Sequence, residues 1–302
     1  MHSRESLQPR RLDVPTWSAR RTTHESRVDA WLGPHLARRR ERIPHPVEDF
    51  LFTYYSHRPA ALRRWHPGYG VVLDEADEYL SVTGYHRVST GPTTGSGVAV
   101  ADEHIRSRRR LTETIHRLLV ATASKPAQLG CFGMHEWAMV YRLDQDEVRH
   151  AAWPLRLGTA GTDEVVESHR VACSHFDAFR FFTDAARPRN LLQPAGDDRA
   201  DFEQPGCLHA GMDLYKHAYR LTPMVPSELV ADCFELARDI RVLDMRASPY
   251  DLSDLGYSPV RVETPEGKQE YATAQRAFAE RAAPLRQQLI DKTARLLAVD
   301  VP

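Results

Sequence analysis

Apolar positions recur at helical spacing along most of the chain. Val28, Trp31, Leu32, His35 and Leu36 predict an amphipathic helix over 17–42, interrupted near Gly33-Pro34. A dense aromatic face of Phe50, Phe52, Tyr54 and Tyr55 predicts a second helix over 47–65, ended by His66-Pro67-Gly68. The helical period returns over 111–122 and is clearest over 207–221 and 227–245, where Ser227, after Pro226, reads as an N-cap. A last helix over 268–297 is expected to break near Pro284. Segment 165–182 is ambiguous: Val165, Val171 and Cys173 alternate like a strand, whereas Phe176, Phe179 and Phe182 repeat like a helix. Two short strands near 71–73 and 79–83 flank a Gly/Ser/Thr-rich loop over 89–97. The expected class is mainly α (α+β), a helical domain with a few short strands in a small sheet. It runs over 16–302 as one domain, with a variable loop insertion at about 68–107 and a flexible arm over 1–15.

Composition narrows this picture. The chain has 302 residues, enough for a full core, and 42% hydrophobic with 27% charged residues is ordinary for a globular protein. The longest apolar runs, such as 118–123, fall far short of the ~20 residues of a membrane span, and the N-terminal stretch is polar. A cytoplasmic protein without a membrane partner is the expectation. Cys131, Cys173, Cys207 and Cys233 never form a CxxC pair, which excludes a zinc ribbon of the usual spacing and argues against a disulfide framework. Net charge is −1, so a uniformly basic nucleic-acid surface is not expected. Residues 1–43 nevertheless hold ten Arg against five acids, and Arg106 and Arg108 to Arg110 form a second basic knot. Such a stripe suits phosphates.

Three patches place ionisable groups in apolar sequence. In Gly130-Cys131-Phe132-Gly133-Met134-His135-Glu136-Trp137, a His-Glu pair sits among aromatic residues, and buried polar groups need partners. It is not HExxH, because residue 139 is Met. In the second patch, Glu167, His169, His175 and Asp177 share a face if the segment is extended. In the third, His209, Asp213 and His217 form an i, i+4, i+8 helical stripe, a spacing that suits zinc or non-haem iron ligation or a proton relay. The next helix adds Asp232, Glu235, Asp239 and Asp244. His116 and His150 read as satisfied core or capping histidines. GxSxG, GxxxxGK[ST] and GxGxxG are absent, and Cys173 and Cys207, each two residues from a His, match no known nucleophile–base spacing.

The strings 45–57 (HPVEDFLFTYYSH), 130–137 (GCFGMHEW), 167–182 and 204–255 resemble a bacterial family usually labelled 3-methyladenine DNA glycosylase. The resemblance covers nearly the whole chain outside 1–15 and 68–107. It implies a hydrolase that takes an alkylated base out of the stack, holds it against aromatic rings and supplies a carboxylate. Tyr54, Tyr55, Trp65, Trp137 and Tyr215, with Lys216, are the substrate-binding candidates. His135, Glu136, Asp177 and Asp213 are the catalytic candidates. The Arg-rich N-terminal helix would track duplex DNA, and no cofactor is required.

The residues themselves support a second reading, a metal-dependent (Fe or Zn) or acid–base enzyme acting on a small molecule. Its candidate ligands or proton carriers are His169, His175, His209 and His217, with Asp213. Both readings require histidines and carboxylates from separated segments to converge on one partly enclosed pocket.

Overall fold

The computed structural model describes residues 9–89 and 96–299. Its elements run β1 (Arg10–Leu12), α1 (Val14–Glu41), α2 (Phe50–Thr53), α3 (Pro59–Arg63), β2 (Val71–Asp74), β3 (Tyr85–Ser89), β4 (Ser96–Val100), α4 (Asp102–Ser107), α5 (Arg109–Ala123) and α6 (Met134–Ala138). There follow α7 (Gly158–Ser168), α8 (Phe176–Phe179), α9 (Arg199–Phe202), α10 (Leu208–Arg220), α11 (Ser227–Arg246) and α12 (Pro265–Leu297). The class is mainly helical with one small mixed sheet, as the apolar periodicity predicts.

Helices α10 and α11 pack against each other at the centre, and α12 lies against both as well as against α5. Ten of the thirteen residues of α10 and thirteen of the twenty of α11 are buried. A helix enclosed on nearly all sides must bury polar residues too, and these need partners inside the protein. The polar side chains of these two helices are therefore where a site is built.

The peripheral elements depart from the sequence reading in several places. Both α1 and α12 run through their prolines without a break. Pro34 and Pro284 are exposed, so the carbonyl that loses its donor faces water, while buried Leu32, His35, Ala282 and Arg286 hold each helix in place. The single helix expected over 47–65 is two short ones, separated by Ser56 in the left-handed region (φ 53) and restarted at Pro59. Ser227 is the first residue of α11 rather than its cap, and its hydroxyl accepts the His66 N–H at 2.8 Å.

The sheet order is β1-β2-β4-β3, with β1 parallel to β2 and the other two pairs antiparallel. The segment expected to be a loop insertion thus supplies three of the four strands, and residues 10–12 of the expected arm supply the fourth. The strand expected over 79–83 is a 3₁₀ turn (Asp77–Ser81), with β3 following it. Of the expected loop over 89–97, residues 90–95 lie outside the described residues, as do 1–8 of the arm. No helix among the described residues is long and apolar enough to cross a membrane.

Candidate metal centre

The ambiguous segment resolves into α7, an extended stretch and the short α8, so Glu167, His169, His175 and Asp177 share no face. Exposed Glu167 accepts the Tyr141 hydroxyl at 2.7 Å. His169 Nδ1 lies 2.7 Å from the Val165 carbonyl, a helix-end contact.

One convergence does occur, from three different elements. His135 comes from α6, His209 from the first turn of α10 and Asp244 from the last turn of α11. One donor atom of each lies within 4.8 Å of the others, and the residues are 2%, 8% and 0% exposed. His135 Nε2 is 2.9 Å from Asp244 Oδ1. The two form a buried ion pair, and among the described residues neither atom has a further hydrogen-bond partner. A buried imidazole and carboxylate held edge to edge in this way share a proton, and a metal ion binding between them would displace it.

The surroundings of the three donors are polarised. Arg241 Nη1 donates to Asp244 Oδ2 at 2.9 Å and to Glu136 Oε1 at 3.0 Å. Its guanidinium lies 3.8 Å from the centre of the Phe50 ring. Burial opposes the charge on Asp244, but His135, His209 and Arg241 outweigh it and hold its carboxyl far below the usual range. Burial also opposes protonation of His135, yet the Asp244 carboxylate and the Cys131 sulfur hold its pKa well above the ordinary value. His209, buried and repelled by His135, is pushed down to about 3, so it is a neutral imidazole with a free lone pair. Burial raises the Glu136 carboxyl against the pull of Arg241.

On the opposite ring edge, His135 Nδ1 contacts Cys131 Sγ at 3.6 Å. Phe132 (φ 48) and Gly133 (φ 74) turn the chain so that Cys131 and His135 meet across the start of α6. The Cys173 thiol touches the Cys131 sulfur, and this contact, with His135, lowers the Cys131 pKa well below its ordinary value. Cys131, His135, Cys173 and His209 line one cavity of about 660 Å³.

A second polar cluster lies beside this one, and its carboxylates are held by cations and a hydroxyl. Asp213 accepts from the Tyr55 hydroxyl at 2.9 Å, Arg199 at 2.9 Å and Lys216 at 2.9 Å, and His175 Nε2 stands 3.4 Å away. Burial would raise its pKa, but Lys216 and His175 hold it well below the usual range. Lys216 also donates to Asp177 at 2.7 Å and Arg199 lies 3.3 Å from it, so the two carboxylates are matched by two cations. The rings of His175 and His209 lie 5.3 Å apart and link the two clusters.

The sequence-derived candidates divide accordingly. His135 and His209 are in the centre. His169 lines the cavity but stands apart from the donor group, and His175 and His217 belong to the Asp213 surroundings. Glu136 is held by Arg241. The aromatic platform does not exist as expected: Trp65, Trp137 and Tyr215 are wholly buried and in the core cluster, with Trp65 Nε1 on Glu228 and Trp137 Nε1 on the Ala247 carbonyl. Tyr54 stacks on Phe50 and Tyr55 is tied to Asp213. Trp65, Trp137 and Tyr215 thus have no exposed face, whereas Tyr54 and Tyr55 are half-buried. Several arginines of α1 are also engaged, Arg20 with Glu228, Arg21 with Glu78, Arg27 with Asp232 and Glu235, and Arg38 with Glu48 and Asp49. Sequence reasoning named Cys131 in the first patch and Asp244 among the acids of the following helix without giving either a role, and it did not single out Arg241. The i, i+4 spacing of Cys131 and His135 was the one available signal.

Compared with family models, with curated proteins and with solved structures, the chain matches none.

Proposed function

We propose that this protein is a metal-dependent enzyme acting on a small molecule, with one zinc or non-haem iron ion held by His135, His209 and Asp244. The observation that carries the reading is the buried convergence of two imidazole nitrogens and one carboxylate oxygen within 4.8 Å, where a metal would displace the proton that His135 shares with Asp244. Two His and one carboxylate leave coordination positions open, as catalytic centres require and structural sites do not. A metal bound there would act as a Lewis acid and lower the pKa of a bound water. The chain's own residues do the positioning. Arg241 anchors Asp244 Oδ2 and leaves Oδ1 turned toward His135, while Cys131 holds the far edge of the His135 ring. The cavity supplies a partly enclosed volume of small-molecule size.

The glycosylase reading has weaker support, since three of its five stacking rings are core residues and its carboxylates are ion-paired. Metal analysis of protein purified without an affinity tag tests the proposal. It expects about one equivalent of zinc or iron, lost in His209→Ala with the fold retained by circular dichroism. Metal-free wild-type protein, or a His209→Ala variant that keeps its metal, would overturn it.

A further inference from the structure

The cavity in front of His135 and His209 also has a charge character. Its volume of about 660 Å³ lies in the range of small-molecule sites. Much of its wall is apolar, with Phe132, Leu191, Leu192 and Phe202 among the lining residues. No Asp or Glu lines it among the described residues, although the chain as a whole carries 41 acids.

Three cations line it. Lys125 is engaged, its Nζ donating to the Ala200 and Glu203 carbonyls. Arg170 and Lys268 have no ion-pair partner among the described residues. Arg170 is exposed and Lys268 half-buried, whereas His135 and His209 are buried. The free cations therefore mark the lip and the donor atoms the floor. A passage with positive charge at its mouth and no negative charge along its wall attracts anions and rejects cations.

From this we infer that the substrate is a small organic acid with an apolar body. Its anionic head sits on Arg170 and Lys268 at the lip, its hydrocarbon part lies against Phe132, Leu191, Leu192 and Phe202, and its reacting end reaches His135 and His209. The inference rests on the reading of this cavity as the substrate site of a metal enzyme.

Isothermal titration calorimetry on the full chain, with octanoate and its neutral analogue octanamide as probes, tests it. Octanoate is expected to bind about tenfold more tightly than octanamide, the low end for a charge-assisted contact because the lip is partly wet. The Arg170→Gln/Lys268→Gln double variant, both residues lying outside the core, is expected to lose that preference while keeping its affinity for octanamide. No measurable octanoate binding, equal affinity for the two probes, or a preference that survives the double substitution would overturn the inference. Metal content is read on the same preparations. Metal-free protein that still prefers octanoate through these two residues sinks the metal reading and supports the anion site. Metal-loaded protein with no such preference does the reverse.

Discussion

Replacing Arg241 by Met tests how the centre is held together. The guanidinium is 1% exposed and makes two charge-assisted contacts, to Glu136 at 3.0 Å and to Asp244 at 2.9 Å. Methionine fills a similar volume beside Phe50 but leaves both carboxylates in the interior without their cation. Breaking a buried pair in this way costs about 3–5 kcal/mol. An upper limit on the Glu136 share comes from protonation. Its carboxyl, with an ordinary pKa of 4.5, is already raised by burial. In the variant it can take up a proton, at a cost of about 3.4 kcal/mol at pH 7 that falls by about 1.4 kcal/mol per pH unit. The raised native pKa means that this share vanishes below the unfolded value and grows as pH rises above it. Urea unfolding should therefore show Arg241→Met destabilised by about 3–5 kcal/mol at pH 7 and by roughly 2 kcal/mol less at pH 5.5. Adding Glu136→Gln to Arg241→Met should recover part of the loss at pH 7, because a neutral amide needs no counter-charge. A loss under about 1 kcal/mol, a loss independent of pH, or no recovery in the double variant would refute the reasoning.

Three further outcomes follow from the same structure. Burial holds His66 and His217 at about 3, far below the ordinary 6.5, so the unfolded chain binds protons there that the folded chain does not. Metal-free protein should lose at least about 3 kcal/mol of stability per pH unit as pH falls from 6 to 4.5, these two groups supplying about that much and His209, held at about 3, with His57 and His150, held at about 4, adding to it. His135, with its raised pKa, is protonated in both states over that window and leaves the slope unchanged. Cys131→Ala removes the contact to His135 Nδ1 and should weaken metal affinity about 10- to 100-fold in a chelator competition, with an unchanged unfolding midpoint of the metal-free protein. In Gly206→Ala the new Cβ would meet the Gln128 carbonyl oxygen at 2.7 Å and its nitrogen at 3.0 Å, backbone atoms that cannot move aside. A cost of about 1–3 kcal/mol is expected, read as a lower thermal midpoint.

The helical core was legible because α10 and α11 carry long, regular apolar patterns, and their polar residues could be flagged as buried. The ligand set was legible only in part. His209, Asp213 and His217 form a stripe, but four residues are about 6 Å along a helix axis and eight are about 12 Å, so His209 and His217 cannot serve one ion. His209 instead meets His135 from the loop-to-helix turn at 131–134 and Asp244 from the far end of α11. That meeting depends on how α10 and α11 are registered against each other, which periodicity within one helix does not encode. Asp244 lies on another side of α11 from Asp232, Glu235 and Asp239. That side faces the centre, while Asp232 and Glu235 pair with Arg27 and Asp239 with Arg281. Of the strands, β2 matches the expectation near 71–73, whereas β3 and β4 escaped for a different reason. Residues 85–89 and 96–100 are short and joined by a Gly-rich run, and they are held by pairing with each other, and β4 with β2, rather than by a strong local pattern.

X-ray absorption at the zinc or iron edge of the metal-loaded protein tests the central claim most directly. The account expects a first shell of nitrogen and oxygen at about 2.0–2.2 Å, with the outer-shell scattering of two imidazoles. It expects no sulfur at about 2.3 Å, since Cys131 lies on the opposite edge of the His135 ring. A sulfur shell, or a single imidazole, would contradict it.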